Sequence, residues 1–561
     1  PPPRPAAASP HPRPAPAPAS PAGMSEQRSL RQDTGVLAAG TLLSRLTGFL
    51  RVLVATYLLG INRLTDAYNF ANAVPNTIYD LLLGGILAAT MIPVFVDELR
   101  REEAGRGDGG ISAVLGTVSV ALVALSVALF LLAPWVVHFY LLLSTSSAKR
   151  EELVVGTKLL RLFAPQVFFL GAIVVSTALL NARRRFGTAA FSPVINNLIA
   201  IAALVVTGAI TRHLSLAAFE HDRTGLLVLG LGTTAGYVVQ FVVQLPAMIR
   251  AGVWRRPRWA PRHPAVRRLL GLSSWLVGVV VANQVSYNLI AVIANRHSGD
   301  FTVYTLAYQF FQLPYSLFAV SIASAIMPDL AERWADRDHV AFLRRVILGV
   351  RTTYALLVPV AIGYAIVARP VIQLLAHHGA VHAAKAEVLG STLAVFALGL
   401  PGFSMLLPLA RALQAMKDTR AMFAIYALEN GLTVVAAYPL FRLLGVPGLA
   451  IAWAAPYTVA SLAAAGYLRR HVGHLGGVFT GRSLVRVTAA TAVMALAVGV
   501  VGHGFPHTGG DPVLLARVAV ETLVGTGVFL GLAWLLDIGE VQAVVGPLLR
   551  RLRPAAQGWG P

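Results

Sequence analysis

The stretch Ser44-Arg45-Leu46-Thr47-Gly48-Phe49-Leu50-Arg51 lies in the middle of an apolar segment that runs from Val36 to Leu59. A segment of this length can cross the hydrocarbon core of a bilayer as one helix. A charged side chain at the centre of such a helix costs about 2.5 to 3.5 kcal/mol, so arginines at this depth usually face a cavity, a partner or a substrate path. Because guanidinium is a permanent cation whose planar donors fit phosphate, the stretch predicts an anionic, phosphorylated ligand. Alternatively, one or both arginines reach the membrane surface or pair with a buried acid.

The composition of the whole chain also indicates a membrane protein. Of the 561 residues, 56% are hydrophobic and 13% are charged, and the mean hydropathy is +0.67. Fourteen apolar stretches centre near Gly48, Leu81, Ala121, Phe168, Ile201, Tyr237, Val281, Tyr315, Leu357, Leu400, Thr433, Ala455, Val493 and Gly525. Stretches this long lack the alternation of barrel strands. We therefore predict an all-α polytopic membrane protein with 14 transmembrane helices.

The net charge of +21 comes from basic residues that are distributed as in a membrane protein and not as in a nucleic-acid-binding protein. With both termini placed in the cytoplasm, most Lys and Arg fall in the tails and in the loops after even-numbered spans, as the positive-inside rule requires. Examples are Arg100-Arg101, Arg183-Arg184-Arg185, Arg344-Arg345 and Arg469-Arg470. No basic element is interleaved with aromatic residues or shaped for a groove, so no nucleic-acid partner is expected.

An internal repeat organises the spans. Pro93 follows the second span and Pro328 follows the eighth, at an offset of 235 residues. Asn181-Ala182-Arg183 follows the fourth span and Gln414-Ala415-Met416 follows the tenth, at an offset of 233. This agreement predicts two six-helix lobes in parallel repeat, with a site between them at mid-membrane, and two extra C-terminal helices.

The predicted domains follow from this repeat. Residues 1–33 form a disordered cytoplasmic tail rich in Pro and Ala, 34–250 the N-lobe with spans 1 to 6, and 251–470 the C-lobe with spans 7 to 12. Residues 471–537 hold spans 13 and 14, and 538–561 form a basic cytoplasmic tail. Residues 1–23 of this tail lack the large apolar side chains that a fold needs, and Met24 is a candidate native start.

Polar side chains recur on one face of the second span. Asp66, Asn69, Asn76 and Asp80 fall in a stripe about 80° wide on a helix with 100° per residue. The seventh and eighth spans correspond to the first two, and they contribute Asn283, Gln284, Tyr308, Gln309 and Gln312. We predict a water-filled, ligand-binding cavity among these four spans, with the two aspartates as ion-pair partners of the arginines. Hydrogen bonds between helices, worth about 0.6 kcal/mol each, are the alternative role for any single amide.

Glu429 is an isolated acid in the eleventh span. It is predicted to hold a coupling ion, sodium or a proton, or else to serve packing or an ion pair. His377, His378 and His382 have a metal-like spacing, but no carboxylate accompanies them, so no metal is expected. The sequence lacks a phosphate-binding glycine loop, a nucleophile elbow and a zinc-binding helix, which favours neither a further cofactor nor an enzyme.

The first-span stretch, together with Thr65-Asp66-Ala67-Tyr68 and Pro75-Asn76, resembles the N-terminal signature of the MurJ/MviN lipid II flippases of the MOP exporter superfamily. Segments from Leu180 to Asn197 and from Gln414 to Thr419 extend the resemblance over spans 1 to 12. It implies that a peptidoglycan precursor linked to undecaprenyl diphosphate moves from the inner to the outer leaflet of a bacterial inner membrane. By this resemblance Ser44, Arg45, Arg51, Asp66 and Asn197 belong to the site, and spans 13 and 14 help to form a groove for the lipid tail.

The chain also departs from that pattern. Tyr79-Asp80 stands where the family often has a basic pair, and Tyr308-Gln309 stands where it often has an Asp-Arg pair. The acid that often follows the first-helix arginine is Val52 here. Two of the four typical cavity arginines are thus missing, and we expect a divergent branch with altered headgroup contacts.

The sequence therefore predicts a flippase for a polyprenyl-diphosphate-linked peptidoglycan precursor, with membrane lipids and the cell-wall synthesis machinery as further partners. Another exporter of the MOP type, for a different lipid-linked glycan or a small organic cation, is the alternative. A cation would use Asp66 and Asp80 in place of the arginines. A polytopic glycosyltransferase would need catalytic carboxylates on a sizeable loop, and the loops here are mostly short.

Overall fold

The computed structural model describes residues 21–82, 86–211, 215–270, 274–377, 381–473, 482–506 and 510–552. In these ranges the chain forms helices and no strand. The helices are α1 (Pro21–Leu59), α2 (Arg63–Leu82), α3 (Ile86–Glu103), α4 (Gly110–Tyr140), α5 (Lys149–Phe163), α6 (Gln166–Ala182), α7 (Phe186–Ile210), α8 (Leu216–His221), α9 (Arg223–Arg250), α10 (Pro264–Leu270), α11 (Ser274–Ala294), α12 (Asp300–Pro314), α13 (Val320–Ala335), α14 (His339–His377), α15 (Ala383–Ala415), α16 (Thr419–Leu444), α17 (Val446–His471), α18 (Arg482–His503), α19 (Asp511–Leu535) and α20 (Gly539–Leu552). A π-helical segment, Tyr315–Ala319, joins α12 to α13.

Thirteen helical segments in the described part of the chain are long and apolar enough to cross a membrane. They coincide with thirteen of the fourteen predicted stretches, so the prediction of an all-α polytopic membrane protein is confirmed. The exception is the stretch around Leu81, which the structure divides between α2 and α3. Residues 83–85 lie outside the described ranges, and the polar face of α2 lowers its hydropathy. The count of fourteen is therefore not confirmed.

The N-terminal tail differs from the prediction. α1 begins at Pro21, so residues 21–33 are helical and not disordered. This part contains Met, Glu, Gln, Arg and Leu, which have high helix propensity and continue directly into the first span. Residues 1–20 lie outside the described part of the chain.

One pair of helix ends agrees with the offset of the predicted parallel repeat. Arg184 and Lys417, 233 residues apart, both have positive φ, at 55° and 59°. The N–H of the next residue donates to the carbonyl five positions earlier in each case, Arg185 to Leu180 at 2.9 Å and Asp418 to Leu413 at 3.0 Å. This pattern is a Schellman helix end, and a residue with a side chain is uncommon in its left-handed position. The same turn therefore ends α6 in one lobe and α15 in the other.

Each lobe packs mainly within itself. In the N-lobe α7 packs against α1 and α9, and in the C-lobe α15 packs against α14 and α17. The helices α18 and α19 pack against each other and against α14, through a small apolar core that includes Ala355, Met494 and Phe529. Across the boundary α2 contacts α11 and α12, which places the polar face of α2 between the lobes.

The linker between the lobes, residues 251–270, is fastened to the N-lobe. The guanidinium of Arg255 pairs with Glu102 at 2.8 Å, and the backbone N–H of Arg258 donates to the carbonyl of Ser112 at 2.9 Å. Further along the linker, Arg268 pairs with the buried carboxylate of Glu98. The named partners of the linker all lie between positions 98 and 112.

Candidate functional site

A cavity of about 610 Å³ lies between the two lobes. It is formed mainly by α1 and α2 of the N-lobe and by α11, α12, α16 and α17 of the C-lobe, with Tyr237 of α9 and Phe403 of α15. Nine of the predicted site residues line it: Arg51, Asn69, Asn76, Asp80, Asn283, Gln284, Tyr308, Gln309 and Gln312. The structure thus brings together the polar face of α2 and the polar residues of the seventh and eighth predicted spans.

Arg51 is the positively charged residue that lines this cavity. It lies within α1, and its side chain is half-buried. Among the described residues no carboxylate comes within 4.0 Å of its guanidinium. A cation in a membrane helix without a counter-charge is costly, so this position favours an anionic ligand.

Arg45 is placed differently from Arg51. It is exposed and is not part of the cavity wall, as expected for a residue about 120° around the helix from Arg51. Arg45 therefore lies beside the cavity and not in its wall.

Asp66 lies at one end of the cavity and fastens the lobes together. Its carboxylate accepts hydrogen bonds from the backbone N–H groups of Gly299, at 2.6 Å, and Thr302, at 2.9 Å. The hydroxyl of Thr302 donates to the same carboxylate at 2.7 Å. Gly299 and Thr302 belong to the first turn of α12, so Asp66 caps a helix of the other lobe, where a negative charge is favourable.

Two further contacts close the same end. The guanidinium of Arg63 donates to the backbone carbonyls of Asn295, at 2.8 Å, and Arg296, at 3.2 Å. It also pairs with the buried Glu152 at 3.1 Å. The partners of Arg63 in the C-lobe are 232 and 233 positions away, so equivalent corners of the two lobes meet here.

Asp80 lies in the cavity wall on the last turn of α2. The side-chain amide of Gln284 donates to it at 3.2 Å, which links α2 to α11. The predicted ion pairs of Asp66 and Asp80 with Arg45 and Arg51 are not among the ion pairs of the described residues in this conformation. The reason for Asp66 is its engagement with α12.

Ser44 and Asn197 lie outside the cavity wall. The buried side-chain amide of Asn197 donates to the carbonyl of Ser44 at 3.2 Å and to the hydroxyl of Thr47 at 3.1 Å. These bonds join α1 to α7 within the N-lobe. In this conformation both residues serve helix packing.

Glu429 is buried in α16, next to the cavity wall. One carboxylate oxygen accepts from the hydroxyl of Thr433 at 3.2 Å, and the other has no hydrogen-bond partner among the described residues. Its neighbour Asn430 lines the cavity and donates to the side-chain oxygen of Asn283 at 2.7 Å. A carboxylate with a free oxygen at this place fits a site for a proton or a small cation, and that role stays a prediction.

Several cavity residues were not among the predicted site residues. Asn72, Trp453 and Tyr457 line the wall, and so do Tyr287, Tyr304 and Asn430, which the sequence marks as polar residues within spans 7, 8 and 11. Asn72 has a weak signal, since it neighbours Asn69 and Asn76 on α2, but it falls outside the narrow stripe. Trp453 and Tyr457 have none, because the sequence does not show whether an aromatic side chain in a span faces a cavity or lipid.

The predicted absence of a metal concerns histidines that are only partly described. His378 and the side chain of His377 lie outside the described residues, and His382 is exposed. The described part of the chain contains no group of three or more His, Asp or Glu side chains placed to hold a metal ion.

Comparison with known proteins gives consistent results. Residues 55–519 match the family model described as lipid II flippase MurJ. The chain is 26% identical over 429 residues to the probable lipid II flippase MurJ of Vibrio cholerae, which covers 74% of this chain and 78% of that protein.

Two solved structures show the same fold. A lipid II flippase MurJ in an inward closed conformation matches with a TM-score of 0.73 at 18% identity, over 91% of this chain and 99% of that one. A multidrug resistance MATE family transporter of the MOP superfamily in an inward-facing conformation matches with a TM-score of 0.59 at 13% identity, over 78% of this chain and 96% of that one.

Proposed function

This chain belongs to the MurJ family of lipid II flippases, and from that premise we propose that it moves a polyprenyl-diphosphate-linked peptidoglycan precursor across the bacterial inner membrane. The movement runs from the inner to the outer leaflet by alternating access of the central cavity. No covalent chemistry is needed, so the protein acts as a transporter and not as an enzyme.

The observation that carries the proposal is Arg51, a cation in the cavity wall without a carboxylate partner in the described part of the chain. Phosphate oxygens accept two parallel hydrogen bonds from a guanidinium, and such charge-assisted bonds are about twice as strong as neutral ones. A diphosphate placed at Arg51 leaves the amides of Asn283 and Gln284 for the sugar and peptide groups. Asp80 accepts from hydroxyl or amide donors of the same headgroup.

We infer the direction in which the cavity opens from the charged residues at its two ends. Asp66 and Arg63 close the end where α2 begins, whereas the arginine clusters lie at the opposite end, where α3 and α6 finish. By the positive-inside rule the closed end faces outward and both termini lie in the cytoplasm. The substrate then enters from the inner leaflet and leaves when the contacts of Asp66 break.

The membrane potential supplies energy for this movement. An inside-negative potential favours outward movement of negative charge by about 2.3 kcal/mol per charge per 100 mV. A diphosphate with two charges therefore gains roughly 4 to 5 kcal/mol from 100 mV. A proton or a sodium ion at Glu429 adds drive if the occupied site favours one conformation.

The proposal also assigns roles to the two lobes and to the helices α18 and α19. The N-lobe, residues 34–250 together with the linker fastened to it, moves relative to the C-lobe helices from α11 to α17. The helices α18 and α19 provide an apolar groove for the polyprenyl tail. These two helices attach to the C-lobe through α14, which supports their place as an addition to a twelve-helix transporter. The lipid-linked precursor, membrane lipids and the cell-wall synthesis machinery are the proposed partners.

Depletion of the protein in its host tests the proposed substrate. We expect the lipid-linked peptidoglycan precursor to accumulate on the inner leaflet, and a plasmid copy of the gene to reverse the accumulation. Accumulation of a different lipid-linked glycan, or of none, would reject this substrate. Reconstituted vesicles with a clamped potential test the drive, because undiminished flipping at zero potential without an ion gradient identifies a passive scramblase.

A second candidate is export of a small organic cation. The cavity wall combines Asp80 with aromatic side chains, among them Tyr304, Tyr308 and Trp453, and aromatic faces attract organic cations. Vesicles loaded with a fluorescent organic cation distinguish the two functions. Export of the dye that fails in an Asp80→Asn variant but survives in an Arg51→Ala variant would favour the cation.

A further inference from the structure

A second pocket, of about 530 Å³, lies at the end of the N-lobe where the arginines collect. It is formed by the ends of α3 and α6 and by the beginning of α7, and it shares no lining residue with the central cavity. Its polar residues are Arg100, Glu103, Asn181, Arg183 and Arg184, and its apolar residues are Ile92, Val96, Leu99, Ala182 and Phe186.

The pocket carries a positive charge. Three arginines and one glutamate line it, which leaves a net charge of +2. Arg183 pairs with Glu103. Arg100 and Arg184 are exposed, and neither has a carboxylate within 4.0 Å among the described residues. Two cations are therefore available to an anion that enters.

Two buried polar atoms in the pocket lack partners. The Nε–H of Arg183 and the side-chain oxygen of Asn181 make no hydrogen bond to any described residue. An orphaned buried donor or acceptor costs about 1 to 3 kcal/mol, so both atoms favour a ligand that completes them. The donor requires an acceptor such as a phosphate oxygen, and the acceptor requires a donor such as a hydroxyl.

The backbone fixes this arrangement. The helix end after α6 holds Arg184 at a φ of 55°, and the N–H of Arg184 donates to the carbonyl of Asn181 at 3.0 Å. The polypeptide then enters α7 directly at Phe186. Arg183 and Arg184 are thus presented by a rigid turn between two membrane helices, beside an apolar wall from α3.

We propose that this pocket binds the headgroup of an anionic phospholipid, a phosphodiester whose second substituent carries hydroxyl groups, as in phosphatidylglycerol. The phosphate lies against Arg183, Arg184 and Arg100, a headgroup hydroxyl donates to Asn181, and the first acyl carbons contact Ile92 and Phe186. Basic pockets between membrane helices on the cytoplasmic side commonly hold such lipids. This proposal does not depend on the transport function.

A lipid in this pocket would connect helices on either side of it. α3 follows α2 directly in the chain, and α2 lines the cavity, whereas α6 and α7 belong to the body of the N-lobe. A lipid between them ties the helix that lines the cavity to that body.

Lipid binding to the purified full-length protein tests the proposal. We expect native mass spectrometry to find phosphatidylglycerol retained at least tenfold better than phosphatidylcholine with the same acyl chains. Arg183→Gln combined with Arg184→Gln should abolish this preference, because it removes both cations. The matched control is Arg469→Gln with Arg470→Gln, an exposed pair at the end of α17, which should keep it.

Three results would overturn the proposal. Unchanged retention in the Arg183/Arg184 variant would show that the lipid binds elsewhere. If the double variant is less stable to heat than the wild type by the same amount in phosphatidylglycerol and in phosphatidylcholine, these arginines only neutralise the helix ends. If inorganic phosphate or pyrophosphate stabilises the wild-type protein against heat as much as phosphatidylglycerol does, the pocket is a site for a soluble anion. If the double variant fails to fold, Asn181→Asp decides, because it keeps the shape but repels phosphate and should cost about tenfold in retention.

Discussion

The two lobes have an equivalent helix end in common but differ in the side chains that they bring to the cavity. The turn after α6 and the turn after α15 have the same hydrogen bonds and nearly the same φ. In the cavity wall, however, the charged residues Arg51 and Asp80 both belong to the N-lobe, and the C-lobe contributes amides and aromatic rings. The lobes thus agree at this turn, while the residues that line the cavity differ between them.

The aromatic rings of the C-lobe form a continuous packed wall. Trp453 is its centre, with ring centroids 5.1 Å from Tyr308, 4.9 Å from Phe403 and 4.7 Å from Tyr457. Such contacts are worth about 0.5 to 1.5 kcal/mol each beyond their buried area, so this wall is rigid. We infer that charge recognition belongs to one lobe and shape to the other.

The largest effect is expected when the lobes are locked together at the corner where they meet. The amide of Asn69 donates to the hydroxyl of Thr302 at 3.2 Å, and the chain has no cysteine of its own. Oxidation of an Asn69→Cys, Thr302→Cys variant should stop flipping almost completely, and reduction should restore it. The two single variants are the controls and should not respond to oxidant. Full transport by the crosslinked protein would show that this end does not open.

Next in size is the loss of the cavity cation. Arg51→Ala should slow flipping roughly 10- to 150-fold, the equivalent of about 1.5 to 3 kcal/mol for hydrogen bonds to a charged group. Arg45→Ala is the matched control on the same helix and should have a smaller effect, because Arg45 lies outside the wall. Complementation and vesicle flipping at equal protein level measure both. Normal transport by both variants would place the anion site elsewhere.

Glu429 tests the inference that charge recognition belongs to the N-lobe, because it is a buried acid of the C-lobe next to the cavity wall. Glu429→Gln should slow transport several-fold and remove its dependence on a proton or sodium gradient, because the amide cannot bind either ion as a carboxylate does. Thr433→Val removes its hydrogen-bond donor but keeps the carboxylate, and it should keep the gradient dependence. Identical gradient dependence in Glu429→Gln and the wild type would assign Glu429 to packing.

The smallest effects are expected from neutral groups of the C-lobe. Tyr308→Phe or Asn283→Ala should each raise the substrate concentration for half-maximal flipping about two- to tenfold, the value of one or two neutral hydrogen bonds. A titration of the lipid-linked precursor in vesicles measures the shift. If either change costs as much as Arg51→Ala, the proposed division between the lobes is wrong.

The sequence predicted the cavity because a helix turns by a constant angle. Asn69, Asn76 and Asp80 share one face of α2, and the repeat indicated which other spans would meet it. The internal offset, read from two pairs of short segments, agrees with backbone turns at Arg184 and Lys417. Both predictions depend on spacing along the chain, which a sequence contains in full.

Periodicity could not show what lies opposite each residue. Asp66 has the right face but sits one turn into α2, where the nearest group is the beginning of α12 and not an arginine. Asn197 came from resemblance alone and bonds to α1 within its own lobe. Of the aromatic wall, Tyr308 was predicted. Phe403, Trp453 and Tyr457 were missed because tertiary packing decides whether an aromatic side chain faces lipid or the cavity.

The fastening of the linker bears on how the chain is assembled. Its partners at Glu98, Glu102 and Ser112 are all present before the linker is translated, and its last ion pair involves Arg268. When the ribosome reaches that point, the N-lobe and the linker can complete their mutual contacts in the membrane while the C-lobe is still unmade. Domains of multidomain chains generally fold as units during synthesis, N-terminal part first. We therefore expect the C-lobe to fold against an N-lobe that is already formed, and the cavity to be completed only when α17 has been made.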